Sequence, residues 1–119
     1  MRLLFVENHD VFAEVVRRRF LASHEVVVVP TLAGAREALG RSSFDVILVD
    51  FDLDDGKGVE LVRELSESGN KTPTIGVSAK GECNEKLLAA GATAAVSKME
   101  FGKIETVLGA LERAIPRPA

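Results

Sequence analysis

Cysteine is nearly absent: the 119 residues hold one, Cys83. An internal disulfide is therefore excluded, and a reducing, cytoplasmic setting is expected. Long apolar runs are missing as well. No stretch approaches the roughly 20 apolar residues of a membrane-spanning helix. The apolar run in the N-terminal MRLLFVENHD is too short for a secretion signal. Surplus positive charge is missing too. Fifteen Lys and Arg against 18 Asp and Glu leave a formal net charge of −3, which offers no electrostatic footprint for direct nucleic-acid binding. Low-complexity tracts, short-period repeats and linkers are lacking; Ser42-Ser43 and the stretch 67–71 read as ordinary surface loops. No Gly-rich turn follows the first apolar run, which argues against a dinucleotide-binding domain.

What is present is one domain's length of chain, 1–119, with 46% apolar and 28% charged residues. That balance suits a soluble globular unit able to bury its own core. Five short runs rich in Val and Ile punctuate it: Leu3–Val6, Val26–Val29, Val46–Val49, Ile75–Val77 and Ala94–Val96. Continuous runs of this kind suit strands buried on both faces, as in a parallel sheet. Helical patterns lie between them. Phe12, Val15, Val16, Arg19 and Phe20 recur at 3.6-residue spacing, with Arg17 and Arg18 off the stripe. Leu61, Val62 and Leu65 follow Gly58. Phe101, Ile104, Val107, Leu108, Leu111 and Ile115 make the clearest stripe, which Pro116 and Pro118 end. Strand-then-helix, five times over, predicts an α/β fold of (βα)5 type, with right-handed crossovers and helices on both faces of the sheet.

In such a sheet function gathers at the carboxyl ends of the strands. Glu7 and Asn8 follow the first run, and Asp50 follows the third with Asp52, Asp54 and Asp55 close behind. Ser78 follows the fourth and Lys98 the fifth. A hard divalent cation such as Mg²⁺ takes oxygen ligands of this kind, and a hydroxyl with an ammonium suits phosphoryl oxygens. Singly, a strand-end Asp or Asn is more often a cap or turn former. Ser78 alone would be a turn hydroxyl, and Lys98 a solvated charge. Four strand ends each delivering a fitting group shift the balance to a site. The Arg17-Arg18-Arg19 run reads as a solvated helix face and Cys83 as a helix residue. His9 and His24 have no partner spacing that suggests a metal site.

The ordered set of motifs resembles the response-regulator receiver (CheY-like) family over essentially the whole chain. Val6-Glu7-Asn8-His9 is similar to the acidic pair after that family's first strand, in the variant with His following. Residues 44–58, FDVILVDFDLDDGKG, resemble the phosphoacceptor strand and its loop, with Gly58 eight positions after the acceptor. Residues 72–79, TPTIGVSA, resemble the fourth strand, and Ala89-Ala90-Gly91-Ala92 with Val96-Ser97-Lys98 resemble the approach to the lysine. The resemblance implies a doubly wound, flavodoxin/CheY-like sheet with strand order 2-1-3-4-5. It implies Asp50 as phosphoacceptor, with Ser78 and Lys98 contacting the phosphoryl group. Mg²⁺ would be held by Glu7, Asn8, Asp50 and the backbone carbonyl of Asp52. It further implies a sensor histidine kinase or phosphotransfer protein as donor. A downstream protein would be met through the surface of the fourth helix, fifth strand and fifth helix. Pairing with a second copy stays open. No output domain is expected after the last helix.

Several positions depart from the family pattern. Asn8 replaces the second acid, Met99 follows the lysine where proline is usual, and Ala95 stands where an aromatic often sits. Asp54 occupies a common proline position. The segment from Ser78 to Lys98 is short, so a trimmed fourth helix is expected, preceded by a loop from Ala79 to Asn84 around Gly81. A pseudo-receiver, binding a partner without phosphorylation, is the alternative. A haloacid-dehalogenase-like phosphatase, suggested by Asp50-Phe51-Asp52, is disfavoured because that motif belongs on a first strand.

Overall fold

A computed structural model describes residues 1–114, and the five apolar runs form one parallel sheet. Its strands, numbered here within that sheet, are β1 (Arg2–Val6), β2 (Glu25–Val29), β3 (Val46–Asp50), β4 (Thr74–Ser78) and β5 (Ala94–Ser97). Each run gains a residue at one or both ends. The spatial order is β2-β1-β3-β4-β5, parallel throughout, as expected for the doubly wound fold. The helices are α1 (Asp10–Phe20), α2 (Leu32–Arg41), α3 (Gly58–Glu67), α4 (Gly81–Ala90) and α5 (Ile104–Ala114). A 3₁₀ turn, Lys98–Lys103, kinks at Glu100 before α5. A two-residue antiparallel ladder, Asp52–Leu53 with Gly56–Lys57, closes the loop after β3. Ile115, Pro116 and Pro118, expected to finish the last helix, lie outside the described residues.

Residue parity divides the core. Odd positions of β1 and even positions of β3 (Leu3, Phe5, Val46, Leu48) face Ala13, Val16, Phe101, Ile104 and Leu108, on the side of α1 and α5. Leu4, Val6, Ile47 and Val49 face Leu32, Ala35, Leu61, Val62 and Leu87, on the side of α2, α3 and α4. Alternate side chains point to opposite faces, so an unbroken apolar strand fills both layers. Every residue of β3 and β4 is buried, whereas the edge strand β2 is partly exposed along its length.

With neither Trp nor Tyr in the chain, aromatic packing falls to six Phe. Phe101 stacks on Phe5 at 6.2 Å and meets Phe12 edge-on at 5.7 Å, with Phe20 at 5.9 Å. Such pairs add about 0.5–1.5 kcal/mol beyond burial. They fasten the segment after β5, which carries Lys98, onto α1.

One expectation for the fourth helix is corrected. α4, of ten residues, begins earlier than expected, because the Lys80 carbonyl accepts the N–H groups of Cys83 (3.1 Å) and Asn84 (3.2 Å). The loop between β4 and α4 is thus only Ala79 and Lys80, and Gly81 belongs to the helix. Gly91 ends α4 at φ +124°, a conformation that L side chains rarely adopt.

Gly58 is required by close approach. A Cβ there would overlap the Asp50 carbonyl oxygen and lie 2.8 Å from Val49 Cγ1. Its N–H also donates to the Phe51 carbonyl at 2.7 Å, which folds the loop back on β3. Gly58→Ala is therefore expected to destabilise the domain by about 2–4 kcal/mol. Urea unfolding at fixed pH measures this; an unchanged midpoint would refute the packing argument.

Candidate functional site

Strand register assembles the site. Val6 of β1 pairs with Val49 of β3, so the next residues, Glu7 and Asp50, emerge side by side. Asp50 pairs with Val77 and Ser78 with Ser97, which brings Ser78 and then Lys98 to the same rim. Glu7 is 1% exposed and Asp50 4%, so two carboxylates share a site nearly closed to water. Lys98 supplies the compensating charge: its Nζ lies 2.8 Å from Glu7 Oε1 and 3.3 Å from Asp50 Oδ1. The ammonium also stands 4.8 Å from the centroid of the Phe12 ring.

Asp50 Oδ1 accepts the Phe51 N–H at 2.9 Å. Burial chiefly, then the adjacent Glu7 carboxylate, push the Asp50 carboxyl up to about 6. Lys98 and the Phe51 N–H pull in the opposite direction without cancelling the rise. Three buried oxygens, Glu7 Oε1, Asn8 Oδ1 and Asp50 Oδ2, receive no hydrogen bond. The approach of Lys98 to Glu7 Oε1 is an ion pair rather than an aligned hydrogen bond. Buried acceptors left without donors are uncommon, and this all-oxygen set fits a hard divalent cation.

The remaining expected residues divide between pocket and frame. Ser78 is buried, and its Oγ accepts the Lys80 N–H at 3.2 Å. Asn8 Nδ2 donates to Asp54 Oδ1 at 3.0 Å. The Asp52 carboxylate pairs with Lys57 at the exposed rim, which holds it below the usual carboxylate range. Asp55 is not a pocket residue. Its carboxylate takes the N–H groups of Leu32 (2.8 Å) and Ala33 (3.0 Å), and these bonds lower its pKa. It serves as a cap for α2, offered from another loop. Among the described residues there is no cis peptide bond. The Met99 N–H, a group proline would lack, donates to Ser97 Oγ at 3.2 Å.

His9 corrects the sequence reading. Its Nδ1 lies 3.0 Å from Glu7 Oε2 and 3.8 Å from Asp50 Oδ2, and its backbone N–H donates to Glu7 Oε2 at 3.2 Å. The turn into α1 folds position i+2 back over Glu7, so the two-residue spacing was the available signal. Asn84 was also missed. From within α4 its Nδ2 donates to the carbonyls of both Ser78 (3.2 Å) and Val96 (3.3 Å). The pocket over Asp50 measures about 180 Å³ and is lined by His9, Ser78, Ala79, Cys83 and Lys98 among others. An open apolar groove of about 620 Å³ adjoins it, between Val11, Phe12 and Val15 of α1 and Ala79.

Comparison with known proteins agrees with this geometry. The family model described as "Response regulator receiver domain" matches residues 3–108. The two-component response regulator PhoP of Pseudomonas aeruginosa is 34% identical over 119 residues, covering 95% of this chain and 52% of its own length. The transcriptional regulatory protein CutR of Streptomyces coelicolor is 32% identical over 91 residues, 73% of this chain and 41% of its own. The chain thus spans about half or less of these curated relatives. Among solved structures, the receiver domain of a sensor histidine kinase from Pseudomonas aeruginosa PAO1, with magnesium coordinated in its active-site cleft, superposes with a TM-score of 0.77. Its identity is 27%, with 94% of each chain covered.

The raised Asp50 pKa has a consequence for stability. In the unfolded chain an Asp titrates near its ordinary value of 3.8, and in the fold near 6. Below pH ~4 both states are protonated and the site exacts no penalty. The penalty builds as pH rises from ~4 to ~6 and is complete above, at about 1–3 kcal/mol. Asp50→Asn imitates the neutral acid. In chelator-treated protein it is expected to raise stability at pH 7.5 and to lose that advantage by pH 4. Urea unfolding across this range checks it, and a pH-independent difference would contradict it.

Proposed function

The chain belongs to the response regulator receiver domain family of two-component signalling, and on that premise we propose that it carries its signal as a phosphoryl group on Asp50. The donor is a sensor histidine kinase or a phosphotransfer protein. One observation carries this reading: Asp50 lies on the pocket floor with Oδ2 free of any hydrogen bond while Lys98 holds 3.3 Å from Oδ1. A carboxylate so placed can act as nucleophile while Lys98 and the Phe51 N–H fix its orientation.

In the transfer, an Asp50 oxygen bonds to phosphorus as the bond from phosphorus to the donor imidazole breaks. The electron pair of that bond leaves with the imidazole. At pH 7.5 Asp50, with its pKa near 6, is mostly ionised and able to attack. Glu7, Asn8, Asp50 and the Asp52 carbonyl would hold Mg²⁺, which when bound supplies positive charge against the phosphoryl oxygens. The transferred group brings about −1.5 to −2 charges. Lys98, already between Glu7 and Asp50, offsets part of them, and the Ser78 hydroxyl donates to a phosphoryl oxygen. Any shift of Ser78 reaches α4 through Asn84, because the Ser78 carbonyl accepts from its amide. The downstream protein accordingly meets the surface of α4, β5 and α5. Receiver domains are signalling modules rather than classical enzymes. No helix among the described residues is long and apolar enough to cross a membrane.

Incubation with acetyl phosphate and Mg²⁺ is expected to add one base-labile phosphoryl group to the wild type and none to Asp50→Ala, by intact-mass measurement. A modified Asp50→Ala protein, or a wild type inert to both a small donor and a cognate kinase, would refute the assignment.

Asn8 sets the metal affinity. A carboxylate in its place adds a full negative charge beside a divalent ion, but it also faces Asp54, whose carboxylate now accepts from the Asn8 amide. The two effects partly cancel, and the net gain is expected at about three- to ten-fold in Mg²⁺ affinity. Calorimetric titration of Asn8→Asp tests this, and equal or weaker binding would contradict it.

A further inference from the structure

We propose that the Asp50 pocket is a mixed nitrogen–oxygen metal site in which His9 is a ligand, so that it favours a first-row transition-metal ion over Mg²⁺. The inference rests on the reading of this pocket as a divalent-cation site and names the ion class it prefers. One atom from each of Glu7, His9 and Asp50 lies within 4.8 Å of the others. Ligands bound at ~2.0–2.2 Å from one ion stand up to about 4.4 Å apart, so the cluster needs only a slight closing. Two of the three residues are almost fully buried, and Asp50 Oδ2, 3.8 Å from His9 Nδ1, has no hydrogen bond, while Glu7 turns Oε2 to His9 and Oε1 to Lys98.

His9 is held by the inner face of its ring. Nδ1 stands 3.0 Å from Glu7 Oε2, an acceptor, and 3.3 Å from the Lys98 ammonium, a donor. One nitrogen serves only one of these at a time. Against Lys98 it offers a lone pair; against Glu7 it carries a proton that an ion would replace. Either way the ring points its coordinating atom at the carboxylates, although the side chain is 62% exposed. His24 has no comparable setting, its Nδ1 lying 3.3 Å from the N-terminal amine. An imidazole nitrogen adds little for Mg²⁺, which prefers oxygen and dehydrates reluctantly. It adds much for Co²⁺ or Zn²⁺, for which imidazole is a favoured ligand.

The test titrates Co²⁺ and Mg²⁺ separately into the full chain and into His9→Gln, which keeps a polar side chain but removes the ring. Calorimetry gives the affinities and visible absorption reports the cobalt ligand set. Wild type is expected to bind Co²⁺ at least about ten-fold tighter than Mg²⁺. His9→Gln should lose about ten-fold for Co²⁺ and less than about two-fold for Mg²⁺, with an altered cobalt spectrum. Zn²⁺ added to ¹⁵N-histidine-labelled wild type should shift a His9 ring nitrogen. An unchanged cobalt affinity in His9→Gln, an equal loss of both ions, or a zinc complex that leaves the His9 nitrogens unshifted would each overturn the proposal. Thermal unfolding of His9→Gln verifies that the exposed substitution preserves the fold. Acetyl phosphate labelling in Mg²⁺ runs alongside. Labelling with no cobalt preference defeats this inference alone, whereas a His9-dependent cobalt preference without labelling defeats the phosphoacceptor reading and leaves the metal site standing.

Discussion

Glu7 and Asp50 are forced together by the sheet itself. The β1–β3 register that buries Leu4, Val6, Ile47 and Val49 cannot be kept without setting these two carboxylates side by side at the strand ends. Mutual repulsion and loss of water both oppose the arrangement, as the raised pKa of Asp50 records. Lys98 is the answer built into the fold, and its placement depends on the aromatic packing beside it. The 3₁₀ turn that begins at Lys98 is anchored by Phe101 against Phe5, Phe12 and Phe20. An aromatic cluster on one face of the sheet thereby stabilises a charge arrangement at its edge.

The loop after β3 shows how closely frame and pocket are joined. Asp55 caps α2, Asp54 holds the Asn8 amide, Asp52 pairs with Lys57, and Gly58 lets α3 start against the Asp50 carbonyl. Only Asp50 of the four aspartates points its carboxylate into the interior. The others fix the loop from outside, so the acidic stretch acts mostly as scaffolding. Each neighbouring carboxylate has a partner of its own, which turns it away from Asp50.

The five strands were legible because parallel strands, buried on both faces at the centre of the sheet and partly so at its edges, leave continuous apolar runs between helical patterns. Asp50, Ser78 and Lys98 were legible for a topological reason: a doubly wound sheet collects its strand ends on one edge. Three features were not. The ladder of Asp52–Leu53 with Gly56–Lys57 is too short to show a period. His9 joins the site because the turn into α1 folds it back over Glu7, and its two-residue spacing was the one sign of this. Asn84 sits in α4, where a lone amide reads as a solvent-facing residue, yet it is 9% exposed and bonded to two strands. The start of α4 was placed late because its first turn, around Gly81, read as loop.

Asn84 gives α4 the mechanics of a lever. One amide nitrogen grips the last turn of two adjacent strands, at Ser78 and Val96, from a point in the first turn of the helix. Those strand ends cannot slide past each other without breaking the grip, so they move as one. Ten residues of helix extend about 15 Å. The fulcrum is at one end and Leu88, 43% exposed, rides near the other. A tilt of a few degrees at the fulcrum is therefore magnified along the helix into a displacement that a partner resting on its far end would feel.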